Sequence, residues 1–238
     1  MAMQSYTDKA PGYLKAYDLI SRRILTELAR RPLVADYGEQ WIRYLLAEAR
    51  SEFARLIPEI PFIGEKNIWE SNLVMATTFL AIYRVLKQRG WSTHQIGEFL
   101  FQVVEALIHT YPVWQRSLIG KVQFSRWQNF RLAQGARQSR QDRNPDNWVF
   151  DLIPGDGNFD YGMIIYECAI LKFFQRQGAK DLTPYLCSID HQMAYAMGYQ
   201  FRRKGTLANG AQCCDCRYKQ AAVSKEWLKN YQEEKGQK

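Results

Sequence analysis

The sequence predicts an α+β fold: an N-terminal helical layer packed on a small antiparallel sheet of about four strands, ordered ββααββ, with covering helices. Three observations carry this. Apolar residues recur every three or four positions over the first 140 or so residues. The pattern then changes to short β-branched and aromatic runs around the turn signal Pro154-Gly155-Asp156-Gly157-Asn158. Two helical stretches, each ended by a glycine, separate two pairs of such runs.

Tyr13 to Arg31 carries Leu14, Tyr17, Ile20, Ile24, Leu25 and Leu28 at helical spacing and is closed by Pro32. Asp36 can cap a second helix to about Leu56, with Trp41, Leu45, Ala49 and Phe53 on one face. A third is expected from about Ile68 to Gln88, ending at Gly90. Ser92-Thr93-His94-Gln95 fits a capping box for a fourth, running to about His109. A fifth, polar and Arg-rich, is expected from about Val113 to Gln138. Asn147–Ile153 and Phe159–Ile165 read as a hairpin. A helix from about Tyr166 to Gln177 follows, and Thr183-Pro184 opens another to Met197. Tyr199–Lys204 and Cys213–Lys219 are the last strands, and the charged tail from Ser224 is expected to be a short helix. Residues 1–143 form the helical part and 144–238 the α+β part carrying the motifs, the two expected to make one compact unit.

The chain has 238 residues, of which 47% are hydrophobic and 14% aromatic, enough for a packed core. No apolar run approaches the roughly 20 residues of a membrane helix. The N-terminus shows no apolar secretion-signal region. With an odd number of cysteines, Cys168, Cys187, Cys213, Cys214 and Cys216, reduced thiols in a cytoplasmic protein are expected. The net charge of +8 raises the question of nucleic acid. Its one concentrated run lies between Arg116 and Arg143, with Trp114, Phe124, Trp127 and Phe130 interleaved. No nucleic-acid motif accompanies it, so it reads as a solvated helix face.

The densest set of reactive side chains is C-terminal. Strand alternation puts Cys214, Cys216 and Tyr218 on one face and Cys213, Asp215 and Arg217 on the other. Cys187 and Asp190 share a helix face. Cys168 is expected in the first turn of its helix, where the backbone dipole can lower a thiol pKa. A thiolate beside a carboxylate and a tyrosine makes a workable hydrolytic site. Each cysteine also has a plain reading as a small buried hydrophobe, and Asp215 with Arg217 as a structural pair. Cys213-Cys214-Asp215-Cys216 lacks zinc spacing, and Glu105 with His109 is a single pair short of a metal site. His94 reads as solvated, and His191 as lying at the edge of the sheet–helix layer. No P-loop, nucleophile elbow or dinucleotide fingerprint is present.

Taken in order, Gly155-Asp156-Gly157, Phe159-Asp160-Tyr161-Gly162, Tyr166-Glu167-Cys168, Pro184-Tyr185-Leu186-Cys187-Ser188-Ile189-Asp190, Arg203, Gly205-Thr206-Leu207-Ala208, Gly210 and Cys214-Asp215-Cys216-Arg217-Tyr218 resemble the family of L-2-amino-thiazoline-4-carboxylic acid hydrolases. A weaker similarity runs over residues 70–110. The resemblance implies hydrolytic opening of a cyclic C=N/C–N compound bearing a carboxylate, and so a hydrolase acting on C–N bonds other than peptide bonds. Such chemistry needs an activated nucleophile at an amidine-like carbon, acid/base groups beside it and a cation for the carboxylate. The candidates are Cys168, Cys187, Asp190, Cys214, Asp215 and Glu167 for catalysis, and Arg217, Arg203, Tyr161 and Tyr166 for substrate binding. Cys216 stands where the family pattern suggests phenylalanine, and Tyr166 where it suggests threonine, which leaves the substrate open.

The expected partner is a small molecule, with no nucleic acid and no membrane. No cofactor and no metal ligands are predicted, and the oligomeric state, a homodimer included, is left open. Two other functions compete: a metal-dependent or redox enzyme of small-molecule metabolism on the same scaffold, and a non-catalytic protein that binds an aromatic ligand.

Overall fold

The computed structural model describes residues 6–28, 37–64 and 67–221. Its elements are α1 (Ala10–Leu28), α2 (Glu39–Leu56), α3 (Glu70–Gln88), α4 (Thr93–His109), α5 (Val113–Val122), α6 (Arg126–Gln141), β1 (Val149–Pro154), β2 (Tyr161–Glu167), α7 (Ala169–Arg176), α8 (Thr183–Met197), β3 (Gln200–Arg203) and β4 (Cys214–Lys219). The fold is α+β, with a four-stranded antiparallel sheet in the order β1-β2-β4-β3. Among the described residues no helix is long and apolar enough to cross a membrane. Pro32, the Asp36 cap and the expected C-terminal helix lie outside the described residues.

The chain forms two compact units. The first takes residues 1–110, 144–146 and 169–186, and the second takes 111–143, 147–168 and 187–238.

In the first unit α1 and α2 lock through Tyr17. Its ring stacks on Phe53 at 5.6 Å, and its hydroxyl donates to the Leu46 carbonyl at 2.9 Å. Arg50 adds a two-point pair with Asp18, at 2.6 and 3.0 Å. Glu52 is buried and answers two arginines, Arg55 at 2.6 Å and Arg84 of α3 at 2.8 Å. α7 supplies Phe173 and Phe174, both without exposed surface, and Gln177 just beyond it reaches Glu59 at 2.8 Å. The short insert 144–146 is tied here by Asn144, which donates to the Phe62 carbonyl at 2.7 Å. α4 starts with the expected capping box: Ser92 accepts from Gln95 N–H, and the Gln95 side chain accepts from Ser92 N–H.

In the second unit the Arg-rich segment is two helices. Ser125 accepts from the Gln128 backbone at 3.1 Å with extended ψ, which ends α5 and caps α6. That Ser-x-x-Gln signal corrects the single helix expected over 113–138. α6 packs on β1, where the Ser139 hydroxyl bonds both Phe150 N–H at 3.2 Å and Phe150 C=O at 3.3 Å. β2 runs through Glu167, two residues past the expected end, because its pairing with β1 continues across a bulge to Val149↔Glu167. Tyr166 and Glu167 are therefore strand residues, and α7 opens at Ala169.

Gly97 of α4 lies under the Tyr185 ring, and a Cβ there would sit 2.1 Å from Tyr185 Cδ1. Gly97→Ala should cost about 1–3 kcal/mol through overpacking. It should lower the thermal midpoint, with partial recovery in Gly97→Ala/Tyr185→Ala. Equal midpoints for wild type and Gly97→Ala would show that the ring does not rest on this backbone.

Candidate functional site

The register of the sheet builds one face from Tyr161, Met163 and Ile165 of β2 opposite Tyr218, Cys216 and Cys214 of β4. β3 adds Phe201 opposite Tyr218 and Arg203 opposite Cys216. Residues directly opposite in antiparallel strands point the same way, so these side chains share a face. The part of α8 from Cys187 onward covers it: His191 meets Phe201 edge-on at 4.8 Å. His191 is buried within this layer, not at its edge.

Arg203 is the centre of the face. Its side chain is 5% exposed. Nη1 donates to Asp190 Oδ2 at 2.8 Å and Nη2 to the Cys187 carbonyl at 2.7 Å. Burial alone would lower the guanidinium pKa, but Asp190, then Cys187, Cys216 and Cys214, outweigh it and raise it. Asp190 is recessed among protein atoms, and burial raises its pKa against the opposing pull of Arg203. Yet 53% of its side-chain surface stays accessible. A carboxyl held by a buried guanidinium and still accessible can meet water or a small molecule.

Three thiols stand around this pair. Burial pushes the Cys187 thiol well up, with Arg203 pulling down and Asp190, Cys168 and Cys214 pushing up. Burial raises Cys214 too, opposed by the Leu207 N–H that donates to its Sγ at 3.3 Å. Cys216 is pushed up to about 12 by burial. All three are S–H groups at neutral pH.

The Gly205-Thr206-Leu207-Ala208 run makes the sulfur contact. Thr206 caps a single 3₁₀ turn by accepting from Asn209 N–H at 3.1 Å, Gly210 turns left-handed at φ 85°, and Leu207 N–H is left pointing at Cys214. An aromatic wall closes the other end of the face. Tyr161 and Tyr218 stack at 4.7 Å and 9°, Phe201 meets Tyr218 at 5.0 Å, and Phe124 touches Tyr161 and Tyr199. The Tyr161 hydroxyl accepts from Gln123 at 2.6 Å.

Of the candidates read from sequence, Cys187, Asp190, Arg203 and Cys214 converge, with Tyr161 in the adjoining wall and Cys168 within electrostatic range of Cys187. Cys168 precedes α7 and is not in its first turn. Asp215 and Arg217 lie on the opposite face and pair with each other. Arg217 also stacks on Phe159 at 4.9 Å, in space left by Gly162, where a Cβ would meet Arg217 Nη1 at 2.8 Å. Tyr166 is on that opposite face as well, donating to Asp151 at 3.1 Å under Arg140. Glu167 is exposed at the end of β2. Cys216, Tyr199, Phe201 and Tyr218 were not among the candidates, although the alternation that grouped Cys214, Cys216 and Tyr218 was the signal for two of them. Among the described residues, no group of three or more His, Cys, Asp or Glu side chains is arranged to hold a metal.

The Cys216 thiol keeps its proton to about pH 12 in the fold but loses it near the ordinary value of 9.0 when unfolded. Between those values the unfolded state binds fewer protons, so stability falls as pH rises, by up to about 1.4 kcal/mol per pH unit per thiol. Cys216→Ala should flatten the decline of urea midpoints above about pH 9 while leaving the slope below it unchanged. Parallel slopes in wild type and variant would show that Cys216 titrates normally.

A family model described as L-2-amino-thiazoline-4-carboxylic acid hydrolase matches residues 71–218. The match runs from α3 to β4 and takes in Arg203, Asp190 and all five cysteines. Searches of curated proteins and of solved structures each returned no significant match. With the family match covering more than half of its length and every residue of the thiol–arginine cluster, the chain belongs to the L-2-amino-thiazoline-4-carboxylic acid hydrolase family.

Proposed function

We propose that this protein is a small-molecule hydrolase that opens a cyclic, carboxylate-bearing C=N compound of thiazoline or amidine type, with Asp190 handling the proton. The observation that supports this is a single carboxyl that is gripped by a buried guanidinium and still reachable. A general base must combine a fixed orientation with access to water, and few carboxyls have both.

For 2-amino-thiazoline-4-carboxylate the steps are these. The oxygen of a water adds to the ring carbon of the C=N bond as Asp190 takes one water proton and passes it to the ring nitrogen. The bond from that carbon to the ring sulfur then breaks as the added hydroxyl becomes the carbonyl, and Asp190 carries the hydroxyl proton to the departing sulfur. Substrate and water together make N-carbamoyl cysteine, with no other reactant.

Arg203 positions Asp190. Its guanidinium donates to Asp190, the Cys187 carbonyl and the Cys216 side chain, and its positive charge favours a substrate carboxylate bound beside Asp190. Cys187, Cys214 and Cys216 are protonated at rest and line the site as S–H groups, which favours direct water addition over a standing thiolate nucleophile.

Asp190→Asn should lower kcat on L-2-amino-thiazoline-4-carboxylate by about 10²- to 10⁴-fold, followed by mass spectrometry of the product. Cys168→Ala, Cys187→Ala and Cys214→Ala, made singly, should each keep activity within about tenfold of wild type, as a non-covalent route requires. The acid limb of kcat/KM should lie above the ordinary carboxylate range. Full turnover by Asp190→Asn, or no turnover of thiazoline and cyclic amidine carboxylates by wild type, would sink the assignment. Loss of activity in one cysteine variant alone would make that thiol a covalent nucleophile.

A further inference from the structure

α5 is amphipathic in composition but not in burial. Its ten residues include Val113, Trp114, Leu118, Ile119 and Val122, and the only buried residue it has is Gly120. Those five apolar side chains are between 44% and 72% exposed. The helix is held through its glycine: a Cβ at Gly120 would lie 2.1 Å from the Met197 carbonyl oxygen at the end of α8. Trp127 and Phe130 on α6 are likewise exposed, at 60% and 61%. The fold thus spends a helix contact on a glycine and turns large apolar side chains outward, which marks an interaction surface.

Charge says what kind. From Val113 to Gln141 there is no Asp or Glu, against Arg116, Lys121, Arg126, Arg131, Arg137 and Arg140. Only Arg140 has an acidic partner among the described residues, Asp151. Trp114, Leu118, Lys121 and Val122 fall on one stripe of α5, at i, i+4, i+7 and i+8. Trp127, Phe130 and Arg131 fall on one stripe of α6, with the Arg131 guanidinium 4.7 Å over the Trp127 ring.

A second copy of this chain seated on the surface by a two-fold axis would set this basic run against itself. Nucleic-acid surfaces are basic and aromatic, but exposed Val113, Leu118, Ile119 and Val122 have no role against phosphates or stacked bases. Aliphatic and tryptophan side chains flanked by cations match the headgroup–acyl boundary of an anionic bilayer. We propose that α5 and the start of α6 dock this protein peripherally on anionic lipid surfaces, with Trp114, Leu118 and Val122 entering the interface and Lys121 and Arg126 meeting headgroup phosphates. The sequence argued against a membrane because nothing spans one, but lying on a membrane has different requirements from crossing it.

Co-sedimentation of the full chain with vesicles of equimolar phosphatidylserine and phosphatidylcholine tests this. Binding is expected, weakening as salt rises, with little binding to phosphatidylcholine alone. Lys121→Glu/Arg126→Glu should lower it by about tenfold or more, as should Trp114→Ser/Leu118→Ser, and brominated lipids should quench tryptophan emission in wild type more than in Trp114→Ser. All four substitutions are at accessible positions, and unchanged circular dichroism checks folding. Vesicle binding that is absent, or equal for all variants, overturns the proposal. So does sedimentation as a dimer that Trp114→Ser/Leu118→Ser converts to monomer, or binding to random single-stranded RNA in preference to the vesicles.

Discussion

Everything at the candidate site is organised by one buried guanidinium. Arg203 sits on a four-residue edge strand and loses nearly all contact with water. Left alone, such a charge would cost several kcal/mol, so the fold must bring it an anion and a carbonyl. Both come from α8, three residues apart along the helix: the Asp190 carboxylate and the Cys187 carbonyl. Meeting both at once fixes the helix in rotation and in height above the sheet. The same constraint brings the Cys187 side chain within electrostatic range of Cys214 on β4. Site geometry and the docking of α8 are therefore one energetic problem.

Much of this was legible beforehand because it follows from local rules. Strand alternation separated Cys214, Cys216 and Tyr218 from Asp215 and Arg217, and the sheet register shows the same division. The i,i+3 spacing grouped Cys187 with Asp190. The capping box at Ser92–Gln95 and the glycine stops at Gly90, Gly178 and Gly198, all at positive φ, followed from side-chain chemistry. What was not legible depends on contacts distant in sequence. Nothing local says that Arg203 is the buried arginine and Arg217 the outward one, since each lies in a short strand next to other polar residues. Which face α8 covers decides it. The extent of β2 was missed for the same reason: the partner strand, through a bulge, holds Tyr166 and Glu167 extended.

Motif residues also divide into two kinds of work. Asp156 accepts from Asn158 N–H at 2.9 Å, Asp160 accepts from Gln220 N–H at 2.6 Å, and Gly162 makes room for Arg217. These hold the hairpin and the end of β4 and touch no thiol. Cys187, Asp190, Arg203 and the Thr206–Leu207 turn surround the accessible carboxyl. A sequence signature that mixes both kinds identifies the scaffold more securely than it identifies the reaction.

The division of the chain has a consequence for how the protein is made. Residues 1–110 lack Phe173, Phe174 and Gln177, which belong to the same unit but come some sixty residues later in the chain. As the polypeptide leaves the ribosome, N-terminal domains ordinarily close first and shelter their apolar surfaces early. Here the helical unit cannot complete its core until residue 186 has emerged, by which time both strands of the first hairpin are also out. No single cut separates one unit from the other. Synthesis must therefore carry an unfinished helical core for about a third of the chain's length, and folding of the two units is joined by the thread that runs back and forth through them.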